Sequence, residues 1–446
     1  VRFNIQQVAR ALAIERMPAP APIAGWSVDS RTISAGEFFF ALRGPAHDGH
    51  DYVEAAFGRG AVGALVERPF EGRTSALVVP DVQQGLEKLA AWARCQWDGQ
   101  VVAVTGSAGK TTTKEIVAQL LSAAMTVGKT VGNLNNHVGL PLSILRLPPD
   151  ARAAVLEIGM NPAGEIRRLA AIARPSVGIV TNVGLAHAEF FDSPEGVALA
   201  KRELIEALPK DGTAVLNADD PRVVRFREVH PGPVITYAIE NEADVRPERI
   251  DFTPEGVRFS LSAVEFESCL AGRHNAMNIL AGIAAARAFG IQPERLRDAV
   301  RALAPGKMRG ERFTHAGVTI LNDCYNSNPE AARSMLDVLR ATPARRRIAV
   351  LGEMLELGRW SEPLHRDIGA YVAQCGIDVL VGIRGAACHM ADEAVRSGMA
   401  AGAAFFFEDP VEAGEFLRGA AREGDAVLFK GSRGTHVERA LERFLA

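Results

Sequence analysis

The stretch TGSAGKTTTKE, Thr105 to Glu115, limits what this chain can fold into more than any other part of it. It follows the apolar run VVAVTG and precedes residues at helical spacing, Ile116, Val117, Leu120, Leu121 and Ala124. An unbroken apolar run reads as a strand covered on both faces, as in parallel sheets. Gly106 and Gly109 lack a Cβ, which permits a tight turn that aims backbone N–H groups at phosphate oxygens. Ser107, Ala108 and Thr112 complete the expected cradle, Lys110 can reach terminal phosphates, and the Thr111 hydroxyl is placed to ligate Mg²⁺. The helix N-terminus adds a favourable dipole. Val104 stands where the strict GxxxxGK[ST] pattern has its first glycine, so the match is to a shorter TGxxGKTT form. A plain turn before an ordinary helix is the competing reading; the strand, the Gly-Lys-Thr triplet and the helix together weigh against it.

The same grammar recurs. AAVLEIG and SVGIVTNV repeat the buried-strand pattern, and VTILNDCY, RIAVLG, DVLVGI and DAVLFKG supply four more apolar runs separated by helix-length segments. Before Asp98-Gly99, SVDSRTISAGEFFFAL and GAVGALVE read as strand-bearing and VQQGLEKLAAWARCQW as an amphipathic helix. An α/β chain of 446 residues is roughly three times a typical domain, so three units are expected. In the two later units the polar clusters fall where strands stop, and ligands in open α/β sheets bind at those carboxyl ends.

Composition excludes several functions. Lys+Arg 50 against Asp+Glu 53 gives a net charge of -3, which fits neither a basic nucleic-acid coat nor a polybasic membrane binder. The longest charge-free run, Thr130 to Leu145, contains three Asn, two Gly and a Pro, which a bilayer span would not carry together. VRFNIQQVARALAIERM has scattered charges and no apolar h-region, so it does not read as a secretory leader. Five cysteines without a CxxC pair suggest reduced thiols in the cytoplasm.

Glu157 ends AAVLEIG and His187 follows SVGIVTNV, so both should project beside the phosphate loop as candidate cation ligands. A solvated strand end and a cap partner are the plain alternatives. Lys201, in EGVALAKRELIEAL, shares a helical face with Val197, Leu204, Ile205 and Leu208. Snorkelling is the ordinary reading. Only eight of the fifty basic residues are lysine, however, so a lysine on an apolar face here points to function. Burial would lower its pKa and leave a reactive amine. In GNLNNHVGLPLSIL, Asn133, Asn135, Asn136 and His137 suit either an extended polar ligand or an Asn-rich turn. GRHNAMN precedes an alanine-rich helix, and DCYNSNP, GEMLELG and KGSRG each follow a strand of the third unit, which should therefore face the nucleotide or a second substrate.

Taken in order, TGSAGKTTTKE, NLNNHVG, EIGMNPAGEI, TNVGLAHAEFF, the Lys201 helix, NADD, GRHNAMN, DCYNSNP, LGEMLELG and KGSRG resemble the Mur ligases over nearly the whole chain. These are ATP-dependent amide-forming enzymes of peptidoglycan synthesis. GKTTTKE with NNHVGLP, and YNSNP, look most like the member that joins D-alanyl-D-alanine to a UDP-N-acetylmuramoyl-tripeptide. The DNPR-type motif of the diaminopimelate-adding sibling is absent from the sequence, while Cys324 and Ser327 stand where the D-alanyl-D-alanine-adding member often has Ser and Ala.

The resemblance implies a small α/β N-terminal domain binding the UDP-sugar over 1–98, a central P-loop ATPase-like sheet over 99–305, and a C-terminal Rossmann-like sheet over 306–446 for the dipeptide and part of ATP. It implies that residues 106–112 hold the ATP phosphates and that Thr111, Glu157 and His187 surround Mg²⁺. Lys201 would be carbamylated, turning a cation into an anionic oxygen ligand. Asn275, Arg309, Asp323 and Tyr325 match nucleotide-side positions. Asp29, Ser30, Arg31 and Arg43 match the UDP-sugar end, with the Asp48-Gly49-His50 turn, and Asn326 and Asn328 lie towards the incoming dipeptide. Lys110, His187 and Lys201 would be the catalytic residues. We expect a cytoplasmic monomer with no nucleic-acid or membrane partner.

The expected reaction is phosphorylation of the tripeptide carboxylate by ATP, then attack of the dipeptide amine on the acyl phosphate. Closure of the domains about junctions near 98 and 306 would exclude water. The alternatives are a sibling amide ligase, a folylpolyglutamate synthase, or a nucleotide-binding regulatory module without catalysis.

Overall fold

The computed structural model describes residues 3–71, 74–185, 188–191 and 193–446. Its strands form four sheets. The first sheet is parallel throughout, in the order Gly25–Ser27, Glu37–Phe40, Gly63–Val66, Ala76–Val78. The expected amphipathic helix lies against it as Val82–Cys95, with Asp81 capping its N-terminus.

The central sheet has six parallel strands, in the order Val234–Tyr237, Thr213–Asn217, Val177–Val180, Gln100–Thr105, Ala153–Glu157, Val127–Lys129. The strand feeding the phosphate loop is therefore interior, flanked by the strands that end at Glu157 and at Val180. In register, Val104 faces Glu157 and Thr105 faces Val180. This gathers three strand ends at one rim.

A three-stranded antiparallel sheet, Arg249–Thr253, Gly256–Leu261 and Val264–Ser268, follows the central sheet. It was not expected from the sequence. Each of its strands exposes charged residues, such as Asp251, Arg258 and Glu267, on one face, so no unbroken apolar run marks it.

The last sheet runs Glu311–His315, Val318–Asp323, Ala426–Lys430, Arg347–Gly352, Val379–Ile383, Ala404–Phe407, parallel except at the first pair. The four expected strands are its interior. The two edge strands were not expected: both are short and half-exposed, so burial leaves little apolar signal.

One apolar cluster runs without a break from the first unit into the central one, joining Phe3, Trp26, Leu86, Trp97, Leu145, Leu169 and Leu204. The Trp97 indole lies inside it and donates to the carbonyl of Ala151 at 2.8 Å. The expected movable junction near residue 98 is thus embedded in a shared core. The C-terminal sheet has its own two clusters, one on each face, and meets the rest through hydrogen bonds of Asn328 and Glu330 and through Leu185 and Ala271, which pack against one cluster.

Candidate active site

The phosphate loop is shaped by close approach. A Cβ on Gly106 would lie 1.8 Å from the Thr181 hydroxyl oxygen, and Gly109 sits at φ +79° with Asn278 Oδ1 2.6 Å from where its Cβ would be. Two loop amides differ from expectation: the N–H groups of Ser107 and Ala108 donate to the carbonyl and side-chain oxygens of Asn182. The amides turned outward belong to the start of the helix Lys110–Ser122, where the first turn has no intrahelical acceptor. Thr113 closes that turn onto the Gly109 carbonyl. The Ser107 hydroxyl is likewise committed, to the backbone of Gly184. Lys110 curls back, with Nζ 2.8 Å from the Gly106 carbonyl; burial pushes its pKa down, opposed by Glu157 and assisted by Arg309.

Glu157 is buried at the end of its strand. Its Oε1 accepts from Asn135 Nδ2 at 2.7 Å, while Oε2 has no hydrogen-bond partner among the described residues. A bare buried carboxylate oxygen is costly unless a cation or donor completes it. Thr111 and Glu157 line the same cleft. Among the described residues no three His, Cys, Asp or Glu side chains cluster as a metal site, so such a cation would take most of its oxygens from phosphate and water, as Mg²⁺ does. The donor set fits Mg²⁺. His187 lies outside the described residues.

Lys201 is buried on the helix Pro194–Glu206, and burial holds its amine well below the usual lysine range. Lys110 adds to that depression and Glu330 opposes it. Glu330 comes from the C-terminal unit: its Oε1 accepts the Leu185 N–H at 3.0 Å, and its Oε2 has no hydrogen-bond partner among the described residues.

In the C-terminal sheet the strands ending at Asp323, Lys430 and Gly352 are neighbours, so the three polar loops meet. Ser432 stitches them together: its hydroxyl donates to the Ser327 carbonyl at 3.2 Å and accepts the Leu355 N–H at 3.0 Å. Buried Lys430 donates to Asp323 at 2.6 Å and to the Asn326 carbonyl. The Arg309 guanidinium lies 3.8 Å over the Tyr325 ring.

A cleft of about 1010 Å³ joins these parts. It is lined by Ser107 to Thr112, Asn135, Asn136, Glu157, Asn275, Arg309, Asp323, Tyr325, Asn326 and Asn328. Gly106 lies at the base of the loop. The Asn136 side chain follows the turn reading, accepting the Val138 and Gly139 N–H groups. Asn328 reaches the phosphate loop, its Nδ2 3.3 Å from the Ser107 carbonyl. Asp29, Ser30, Arg31 and Arg43 do not line this cleft. Asp29 pairs with Arg31, whose hydrogen bond holds the carboxyl down to about 2, and Arg43 pairs with Glu67 at 2.9 Å.

Sequence reasoning missed Asn182, Glu330, Lys114 and the role of Lys430. The scarcity of lysine that singled out Lys201 would have found two of these, since Lys114 and Lys430 are also fully buried.

Family models match in three segments: the Mur ligase family catalytic domain over 22–118, the Mur ligase middle domain over 104–286, and the Mur ligase, glutamate ligase domain over 308–433. The chain is 35% identical to UDP-N-acetylmuramoyl-tripeptide--D-alanyl-D-alanine ligase of Synechocystis sp., over 94% of this chain and 91% of that protein. This chain belongs to the Mur ligase family.

A Mur ligase of the same description from Bacillus subtilis is 32% identical over 98% of this chain and 97% of its own length. Among solved Mur ligases, MurF from Acinetobacter baumannii superposes with a TM-score of 0.91 at 29% identity, covering 100% of this chain and 99% of that one. MurF from Thermotoga maritima in complex with ADP gives 0.83 at 29% identity, covering 94% and 96%. Folylpolyglutamate synthase of Mycobacterium tuberculosis shares the fold, at 0.65 and 16% identity.

Proposed function

We propose that this chain is an ATP-dependent ligase that joins D-alanyl-D-alanine to a UDP-N-acetylmuramoyl-tripeptide through an acyl phosphate. The observation that carries the reading is the single cleft in which Lys110, the opening of the phosphate helix and the bare oxygen of Glu157 meet the loops of the C-terminal sheet. It is supported by relatives of that description, which match nearly end to end. The 16% identity of folylpolyglutamate synthase supports the fold alone. A regulatory module would not need a second wall of polar loops around its nucleotide.

The tripeptide carboxylate and the γ-phosphate repel, so positive charge must lie between them. Lys110 leaves its own loop to supply part of it, and the outward amides of the phosphate helix hold the phosphates in line. Thr111 and Glu157, with His187, would hold Mg²⁺, which would supply the remaining neutralisation. Burial favours the uncharged form of Lys201, whose amine would add to CO₂ and release a proton to give a carbamate, and this would offer oxygen ligands to a second Mg²⁺. The C-terminal loops exclude water while the dipeptide amine attacks, with Asn326 and Asn328 on that side and Asn275, Arg309, Asp323 and Tyr325 towards the nucleotide.

Residues 1–98 take the UDP end at Asp29, Ser30, Arg31 and Arg43, residues 99–305 bind ATP, and residues 306–446 receive the dipeptide. The first group lies outside the lining of the reacting cleft, as a long UDP-peptide reaching between the two would require. Five free cysteines fit a cytoplasmic enzyme. Among the described residues no helix is long and apolar enough to cross a membrane.

The test is phosphate release by the purified chain with UDP-N-acetylmuramoyl-tripeptide and ATP, comparing D-alanyl-D-alanine, diaminopimelate and glutamate as acceptors. Release should depend on D-alanyl-D-alanine. Preference for another acceptor would reassign the substrate, and no release with any acceptor would remove the catalytic reading.

A further inference from the structure

The helix that carries Lys110 carries a second lysine one turn on. Lys114 is completely buried, and its Nζ has three acceptors: the carbonyls of Thr130 at 2.8 Å and Gly132 at 2.9 Å, and Glu115 Oε1 at 2.9 Å. An ammonium group has three N–H donors, so every one is used. Two of the three go to main chain, at the entry to the asparagine loop. Glu115 is itself braced by Lys129 on the strand that leads into that loop.

The pinned segment in turn grips Glu157. The Thr130 hydroxyl accepts the Glu157 N–H at 3.1 Å, and Asn135 Nδ2 donates to Glu157 Oε1 at 2.7 Å. The Asn135 carbonyl accepts the Gly159 N–H at 2.9 Å. Asn135 approaches so closely that a Cβ on Gly159 would lie 2.8 Å from its Oδ1. Glu157 is thus held by its amide and one carboxylate oxygen, and among the described residues nothing bonds Oε2.

We propose that Lys114 is a positioning residue for the cation site. It ties the loop 130–135 to the phosphate helix, so that Asn135 fixes Glu157 with Oε2 turned to the divalent cation that accompanies ATP. This rests on the cation beside Glu157 in the proposed function. The phosphates sit at the start of that helix and the cation oxygen comes from a neighbouring strand, so the lysine sets the spacing between them. Outer partners that orient a metal ligand typically carry ten- to hundredfold in metal affinity. Lysine suits this place better than arginine: a compact ammonium directs its three donors tetrahedrally, whereas a guanidinium confines its donors to one plane.

The test uses the full chain with Lys114→Met, Lys114→Gln and Asn135→Ala. Amide hydrogen exchange over residues 131–138 is measured without ligand, Mn²⁺ binding in the presence of ADP by electron paramagnetic resonance, and the Mg²⁺ needed for half-maximal turnover at saturating ATP. The expected result is faster loop exchange in the Lys114 variants, with Mn²⁺ affinity weakened about tenfold and the Mg²⁺ requirement raised to match. The KM for D-alanyl-D-alanine should stay unchanged. Asn135→Ala should shift the metal readings alike, and the double variant should add little to either single one, as expected of residues acting through one chain of contacts.

Unchanged Mn²⁺ affinity in folded Lys114 variants would overturn the proposal, as would failure of both to fold, since the lysine would then be a structural pillar. If the unaltered chain itself binds no Mn²⁺ with ADP, the cation site is wrong and this assignment falls with it. Normal binding by the unaltered chain confines any failure to Lys114.

Discussion

Asn328 joins two units with one side chain. Its Oδ1 accepts the Ala331 N–H at 2.9 Å and so caps the helix Pro329–Ala341, while its Nδ2 donates to the Ser107 carbonyl in the phosphate loop at 3.3 Å. Two residues on, Glu330 bonds the Leu185 amide. The start of one C-terminal helix therefore rests on the glycine loop that opens the helix Lys110–Ser122. Asn328→Asp keeps the cap but turns a carboxylate oxygen towards the Ser107 carbonyl. Its thermal stability should stay near that of the unaltered chain while kcat/KM falls about tenfold, a loss of about 1.4 kcal/mol. Asn328→Ala should lose about 1 kcal/mol of stability as well, because the cap goes too. Melting curves and steady-state kinetics on both variants check this.

Lys201→Ala should lower turnover by about a hundredfold or more, with partial recovery on adding acetate or formate, whose oxygens can enter the space left. Full activity in the plain alanine variant would remove the carbamate from the mechanism.

Burial pushes the His274 imidazole down to about 4, with Lys430 adding to the shift and Asp323 opposing it. Between pH 6.5 and 4 the unfolded chain binds a proton that the folded one does not. This contribution is therefore fully present above pH 6.5 and is lost as pH falls through that window. Replacing the ring by His274→Gln should shrink the difference in melting temperature between pH 7 and pH 5. An identical difference in both proteins would contradict the lowered pKa of this half-buried ring.

Movement should be confined to one junction. Trp97 is inside the core shared by the first two units, whereas the third unit has cores of its own and meets the others through polar contacts and a few apolar ones such as Leu185 and Ala271. ADP with the UDP-tripeptide should slow proteolysis near residue 306, while the junction near 98 stays resistant with or without ligand. Trp97→Ala should cost about 3–5 kcal/mol and open that junction. Ligand-dependent cleavage near 98 in the unaltered chain would show that the shared core does not hold it.

The strand, glycine turn and helix over 100–122 were legible because their determinants are consecutive: an apolar run, two glycines, Lys110 and Thr111, then helical spacing. Glu157 was legible as a polar residue closing a buried run. The antiparallel sheet at 249–268 was not, since one exposed charged face dilutes the apolar signal. Asn136 could be read as a ligand or a turn, and its hydrogen bonds to the next turn are settled by backbone geometry that composition does not reveal.

Local order along the chain determined the α/β class, the phosphate loop and the family resemblance, because each rests on residues a few positions apart. Only the tertiary structure decided that Asn182 takes two loop amides, that Lys114 and Asn135 reach Glu157 through the same segment, and that the first two units share a core. Those contacts depend on which strand lies beside which. Pairing of distant strands is set by burial summed over the whole fold, and no stretch of sequence carries that sum.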